Sequence, residues 1–545
     1  MEQKNKKKIS TQTIIKLLLA VVLLGLSAFL LKGDVWTFWT WWLLAGVMGF
    51  AAMPVTGRLF WRFEDKGWIF SKVLAIAATG FLTWFLTAIR LIPFNALTCA
   101  AVTILCAVIC FFLLRKESKE KTECFPVDRI SLIYWEELLF FLAFLMWTYL
   151  AGFRPAAYGT EKFMDYGFME AMMRSTTLPA RDLWYSEGHI NYYYGGQYFA
   201  VFLTKLSHTK VELTYNLMRT FVAGLAFAMP FSLVYQMMSD RMKGLQKSEK
   251  VIKGLPFAAG FTAGTAVSIA GNMHYVIYAQ IIPLIEKLTG KEVSSYWFPD
   301  ATRYIGYNPY REEDRTIHEF PCYSFVLGDL HAHVVNIMFV LLVIALLYVW
   351  LRGVRKKTVP VEASMKDGKF WKEQLLMPHL LVISVLLGMF QWTNFWDFVI
   401  YYVVTLGTVL FANIIRFQGK IKKIIVVTFS QMAEIYLLAY LVILPFTLQF
   451  DTMVDGIGIA KYHSYFYQLL VLWGLPAVLT ITFVISILWE KLRGMEHKSL
   501  YRLIKAIRTA DLFAIIMGLC AIGLVVIPEF VYVRDIYENG NEIGR

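Results

Sequence analysis

The sequence predicts an all-α, polytopic transmembrane helical bundle, and three observations carry that prediction. Of the 545 residues, 58% are hydrophobic and 17% charged, more apolar side chain than a soluble core takes up. Apolar stretches of roughly 17 to 25 residues, the length that crosses ~30 Å of hydrocarbon as a helix, recur thirteen times. Between them the basic residues cluster in alternate loops: the amino terminus and six loops hold 34 of the 53 Lys and Arg residues.

In chain order, the spans are expected near 14 to 31, 36 to 55, 68 to 89, 95 to 114 and 131 to 151, then near 216 to 238 and 255 to 271. The remainder are expected near 334 to 351, 376 to 392, 398 to 415, 424 to 449, 465 to 489 and 511 to 529. The start MEQKNKKK followed by Ile14 to Leu31 has no small-x-small cleavage site before Lys32, so it reads as an uncleaved first helix. The basic loops are the amino terminus, 56 to 67, 115 to 130, 239 to 254, 352 to 375, 416 to 423 and 490 to 510. Basic loops stay on the cytoplasmic side, which predicts a cell-membrane protein with its amino terminus in the cytoplasm. The net charge of +13 is largely this orientation signal, also suited to an anionic leaflet. No nucleic-acid motif accompanies it, and nucleic acid is not an expected partner.

Residues 1 to 130 form an expected N-terminal four-helix membrane region, and 131 to 545 a membrane domain with two large extracytoplasmic segments near 152 to 215 and 272 to 332. Gln197 to Leu206 is mostly apolar but about ten residues long, short for a crossing, and reads as a re-entrant or interfacial helix. Were it to cross, Met273 to Leu288 would have to cross too, which would put the basic loop 239 to 254 outside. Of six cysteines, Cys99, Cys106, Cys110 and Cys520 sit in spans and Cys124 in a basic loop, leaving Cys322 outside. That distribution argues against a disulfide framework or a cysteine zinc site.

The short polar motifs all fall on the side opposite the basic loops. In GTEKFMDYGFMEAMMRS, Glu161 and Asp165 are four apart, so a helix begun after Gly159 puts both carboxylates on one face. Such a pair suits metal binding or base catalysis; the plain alternative is a solvated amphipathic helix with its acids at the positive N-terminal dipole. Arg174, Arg181 and Asp182 could hold a phosphate or pair with one another. In HINYYYGG, Tyr192, Tyr193 and Tyr194 offer flat faces with hydroxyl tips to a sugar or to the headgroup zone. His189 and Asn191 add polar contacts, and Gly195 and Gly196 permit a close turn.

In HEFPCYSFVLGDLHAH an extended backbone would point Asp329, His331 and His333 to one face, a ligand set for a divalent cation, with Glu319 and His318 near in sequence. A helical backbone would align only Asp329 and His333, and hydrogen bonds capping the next helix are the alternative. In TNFWD, Asp397 can cap the helix that follows it, beside the interface anchors Trp392 and Trp396. Glu529, Arg534 and Asp535 in PEFVYVRD share the same sidedness.

In this order, these motifs resemble the signature of the YYY membrane proteins, an uncharacterised family named for its tyrosine triplet, here Tyr192 to Tyr194. The likeness covers most of the chain from about Glu137 onward. That family is in turn similar to the C-type glycosyltransferases, multispanning enzymes that take sugars from polyprenyl-phosphate donors and carry an acidic motif in their first large outer loop. The resemblance implies a GT-C-like fold, Asp165 or Glu161 at the acidic-motif position, and a further aromatic motif with more helices beyond Arg545, so that a truncated member is expected.

On this reading Asp165 is the catalytic carboxylate with Glu161 beside it. His189, Asn191, Tyr192, Tyr193, Tyr194, Arg174, Arg181 and Asp397 contact substrate, and Asp329, His331 and His333 hold a divalent cation. The expected partners are membrane lipid, a polyprenyl-phosphate-linked sugar and an acceptor. A carboxylate can take the acceptor proton, while a cation or Arg offsets charge on the departing phosphate. A transporter or flippase for a lipid-linked or envelope precursor competes with this reading, but it would place ionisable groups near the midplane, where Glu434 stands alone after Gln431. A non-catalytic envelope scaffold is the third possibility.

Overall fold

The computed structural model describes residues 10–120, 124–243, 249–357, 359, 364–495 and 499–535. The chain is mostly helical. It begins with α1 (Thr11–Leu31), α2 (Val35–Leu59), α3 (Trp68–Ala88), α4 (Ala96–Glu120) and α5 (Ile130–Ala151). The first large loop carries α6 (Lys162–Arg174) and α7 (Gly195–Ser207), and α8 (Val211–Met242) and α9 (Glu249–Ser268) follow. The second carries α10 (Ile282–Leu288) and α11 (Pro321–Leu327) before α12 (Ala332–Val354), α13 (Gly368–Leu375), α14 (Pro378–Thr393), α15 (Phe395–Arg416) and α16 (Ile421–Val442). Short α17 (Leu444–Thr447), α18 (Phe466–Arg493), α19 (Leu500–Ala506) and α20 (Thr509–Val526) complete the helices.

Every one of the thirteen expected span positions falls on a helix. By length and composition, ten described helical stretches can cross a membrane, or eleven if α13 and α14, bent by 53°, count as one span. Two differences bring thirteen to eleven, and α14, which qualifies only together with α13, brings it to ten. The count takes Thr11–Leu59 as a single stretch, and α9 does not enter it. Within Thr11–Leu59 the chain folds back, because Trp39 Nε1 donates to Ser27 Oγ at 3.0 Å, whereas twelve residues of straight helix would hold them ~18 Å apart.

The fold also departs from all-α. β1 (Val454–Ile459) pairs antiparallel with β2 (Val531–Asp535), binding the segment before α18 to the one after α20.

The expected N-terminal region shares its core with the rest of the bundle. Trp84 of α3 stacks on Trp392 of α14 at 4.3 Å, and Gly80 O accepts from the Tyr198 hydroxyl of α7 at 2.8 Å. For α7 the structure removes the interfacial alternative and leaves the re-entrant one. The helix does not lie at an interface: Tyr198, Phe199, Ala200, Val201 and Phe202 are fully buried, packed among α3, α4, α6, α8, α12 and α14. Gly195 permits this, since a methyl group there would meet Thr393 at 2.7 Å. Cys124, placed in a basic loop, is buried with its thiol against Pro54 O at 3.5 Å.

α12 sets the axis on which function is laid out. At its C-terminal end the basic loops gather: Arg352 donates to Arg62 O at 2.6 Å, Arg355 to Lys505 O at 2.6 Å and Arg508 to Arg241 O at 2.5 Å. At its N-terminal end, ~33 Å away for a helix of this length, stand His331 and His333.

Candidate functional site

The site is built where α6, α7, α8 and the start of α12 converge. Gly159 (φ 85°) and Thr160 (φ 49°) turn the chain through the left-handed region before Glu161 caps α6. This presents Asp165 in the first helical turn, where a carboxylate suits the helix dipole. Apolar neighbours on the same helix, Phe168, Met169 and Met172, are buried and press that face inward, and Asp165 has no exposed surface.

One oxygen of Asp165 accepts from Gln197 Nε2 at 2.8 Å; the other has no hydrogen-bond partner. Leaving a buried polar atom unpaired costs on the order of 1–3 kcal/mol. Burial pushes the Asp165 carboxyl up to about 7, with Asp329 and Glu161 adding to the rise and His331 and Gln197 opposing it. A carboxyl group poised there exchanges a proton near neutral pH.

GDLHAH is half extended and half helical. Gly328 (φ 95°) closes α11 by donating to Ser324 O at 3.0 Å, and α12 starts at Ala332. Asp329 and His331 therefore stay together, His331 Nε2 lying 3.5 Å from the Asp329 carboxylate and 3.3 Å from that of Glu161. His333 is carried onto the helix and meets Glu319 instead, at 3.3 Å. Burial lowers the His331 pKa, yet its three carboxylate neighbours, Glu161, Asp165 and Asp329, outweigh that and raise it to about 9. The same contact with His331 holds the Glu161 carboxyl below its ordinary value.

The three groups whose ligand atoms lie within 4.8 Å of one another are Glu319, His331 and His333. Asp329 stands outside that set, its two oxygens taken by the Thr160 hydroxyl at 2.7 and 2.6 Å. The expected triad thus exchanges Asp329 for Glu319.

The tyrosine triplet divides. Tyr192 packs on Phe168 with ring centroids 5.6 Å apart and feels the charges of Asp165 and Glu161. Tyr193 lies on Phe450. Tyr194 faces the core, where its hydroxyl accepts from Trp84 Nε1 at 3.0 Å, so a direct substrate contact for it is not what the geometry offers.

Other predicted residues sit elsewhere. Asn191 exchanges hydrogen bonds with the backbone of Asp451 at 3.0 and 2.9 Å. Arg174 pairs with Glu170 at 3.6 Å, nine residues and ~13 Å along α6 from Asp165. Arg181 and His189 are exposed partners in a backbone bridge. Asp397 accepts from Asn336 and Asn394 at 2.7 and 2.9 Å and borders the site through the charge of His333. In the last motif, Glu529 accepts from Ser464 beside the two-stranded ribbon.

Residues 78–510 match a family described as "Uncharacterized membrane protein (DUF2298)", and the match takes in every residue of the cluster. The chain belongs to that family. A comparison with curated proteins and with solved structures gives no match.

Three members of the site in this DUF2298 protein escaped sequence reasoning. Gln197 bridges Asp165 and Leu330 O, the latter at 3.0 Å. Arg219 of α8 is 3% exposed, and its Nε has no partner. Lys162 is its cationic neighbour, and burial, together with Arg219, lowers the lysine pKa. Both cations crowd Gly328, where an added methyl group would lie 2.1 Å from Arg219 Nη1. A signal did exist: an arginine inside a long apolar helix is a functional hypothesis by default.

Proposed function

We propose that this protein is an integral-membrane glycosyltransferase that moves a sugar from a polyprenyl-phosphate donor to an acceptor hydroxyl at the extracytoplasmic face. The motif resemblance supplies the reaction class. The observation that carries the assignment to a residue is Asp165: a fully buried carboxyl with one oxygen unpaired, poised near neutral pH within the charge of His331, Asp329 and Glu161.

In the step proposed, the acceptor oxygen bonds to the anomeric carbon as the bond from that carbon to the phosphate oxygen breaks. The electron pair leaves with the polyprenyl phosphate, and the acceptor proton passes to the free oxygen of Asp165. Lys162 and Arg219 face the departing phosphate. Gln197 fixes the rotamer of Asp165, and Tyr192 forms an aromatic wall over the acid pair.

A divalent cation held by Glu319, His331 and His333 would add Lewis-acid neutralisation of the leaving phosphate. To serve as a ligand, His331 must release the proton that its carboxylate neighbours favour.

The outward placement rests on the charge of the loops gathered at the far end of α12. Transport is the second reading, favoured by Glu136 of α5, fully buried with neither carboxyl oxygen hydrogen-bonded. Membranes with and without the protein, supplied with a radiolabelled polyprenyl-linked sugar, separate the two. Labelled product that depends on the protein and disappears in Asp165→Asn supports transferase activity; protein-dependent movement of intact donor across sealed vesicles, without product, replaces it with transport.

A further inference from the structure

Two neighbouring cavities lie among α2, α3, α4, α12 and α14, the larger at the basic-loop end of α12 and the smaller along the middle of α2, α3, α4 and α14. The inner slot, ≈ 380 Å³, is walled by side chains such as Met48, Val55, Leu74, Cys106, Leu386 and Met389. Its two hydroxyls, on Thr79 and Thr103, are spent on their own helices, donating to Ala75 O at 2.7 Å and Cys99 O at 2.8 Å. The slot therefore offers a ligand apolar contact alone, as an aliphatic chain requires.

Val55, Leu59 and Val382 also line a second chamber of ≈ 930 Å³, so the two cavities are neighbours. The chamber wall carries Arg58, Lys357 and Arg416 against one carboxylate, Glu373.

Arg416 is the informative member. It is 4% exposed, and its guanidinium donates only to neutral oxygens, Asn413 Oδ1 at 3.0 Å and Gln374 Oε1 at 2.5 Å. Nε has no partner, and among the described residues no carboxylate pairs with the charge. A buried cation of this kind is expensive unless an anion accompanies it.

We propose that slot and chamber together bind one anionic glycerophospholipid from the leaflet on the basic-loop side. An acyl chain fills the slot and the phosphodiester lies against Arg416 and Lys357. Basic pockets between membrane helices on this side recognise anionic headgroups, and that leaflet is rich in them. The chamber is distinct from the carboxylate cluster, so this binding does not rest on the transferase reading.

The test uses the purified full chain in detergent, titrated with phosphatidylglycerol, phosphatidylcholine or a polyprenyl monophosphate, and read by native mass spectrometry and thermal unfolding. One phosphatidylglycerol should remain bound and raise the melting midpoint, while phosphatidylcholine does neither. Lys357→Gln, at an exposed position on the rim, should weaken phosphatidylglycerol about fivefold, the equivalent of one headgroup charge. Ala78→Trp, also at an exposed position, should fill the slot and abolish retention. Equal binding of phosphatidylcholine, wild-type affinity in both variants, or displacement of phosphatidylglycerol by one equivalent of polyprenyl monophosphate would each overturn the proposal.

Discussion

Two clusters, one at each end of α12, hold charge in opposite ways. At the C-terminal end, Arg352 meets Asp240 at 2.6 Å, the same carboxylate accepts from the Tyr348 hydroxyl at 2.8 Å, and Arg241 meets Asp511 at 3.0 Å. In that network Asp240 and Asp511 each have a cation, although among the described residues Asp65 and Glu136 are buried in the bundle with none. At the N-terminal end, Asp165, Gln197 and Arg219 each leave a buried polar atom without a partner. A paired network holds helices together; unpaired groups gathered in one place raise the energy of the fold and are worth keeping when something else binds them. The contrast separates residues that build the bundle from residues that await a substrate.

Breaking the paired end should cost the most. Asp240→Asn leaves the partly buried Arg352 without its anion and should lower stability by about 2–3 kcal/mol, seen as a lower melting midpoint in detergent, with activity per folded molecule unchanged. An unaltered midpoint would mean that this end is no more structural than the other. At the unpaired end the signs reverse: Asp165→Asn should leave folded yield intact and reduce transfer by about 10²-fold, the scale of a lost general base, with Glu161→Gln costing less. Full activity in Asp165→Asn would remove the central residue of the mechanism.

The next effect concerns metal. If Glu319, His331 and His333 hold a cation, the wild type should retain a divalent ion after purification that His331→Ala/His333→Ala loses, by elemental analysis. Equal metal content in both would leave the histidines as partners of Glu161 and Glu319.

The last effect is on pH. Because the folded Asp165 carboxyl is raised to about 7, the fold favours its protonated form. Its contribution to stability is complete below the unfolded value of ~3.9 and is lost as pH rises through about 7. Transfer should move the other way, climbing as Asp165 ionises. His331 and Gln197 pull this limb down in pH, and Asp329 and Glu161 push it up. Melting curves of Asp165→Asn should lack the decline between pH 4 and pH 7; a decline as large as that of the wild type would assign it to another group.

The helices were legible because a membrane span is a local property, and hydropathy over roughly twenty residues suffices to place each one. α7 was left open between re-entrant and interfacial because ten apolar residues look alike whether they face headgroups or protein. What covers α7 comes from helices far away in sequence. The meeting of the Glu161/Asp165 motif with His331, which pairs with Glu161 and reaches Asp165 through its charge, agrees with the shared sidedness of the two motifs. Glu319 displaced Asp329 because the alternation of GDLHAH ends where α12 begins at Ala332, and the position of a helix start cannot be read from six residues. Tyr194 left the expected aromatic wall for a similar reason: α7 begins at Gly195, which turns the third tyrosine into the core.

The double hydrogen bond of Gln197 also sets a clock. Its first partner, Asp165, precedes it by 32 residues, whereas its second, Leu330, follows by 133. At about 5–20 residues per second of translation, roughly 7 to 27 s pass between the emergence of Gln197 and that of Leu330. During that interval α7 is held by the helices already made, α3, α4 and α6, and lacks α12 and α14. The nascent chain thus carries a half-built site, and only the arrival of α12 completes it. A ribosome stalled before residue 330 should yield a membrane-inserted protein whose Asp165 side chain is open to carbodiimide, and release of the stall should close it.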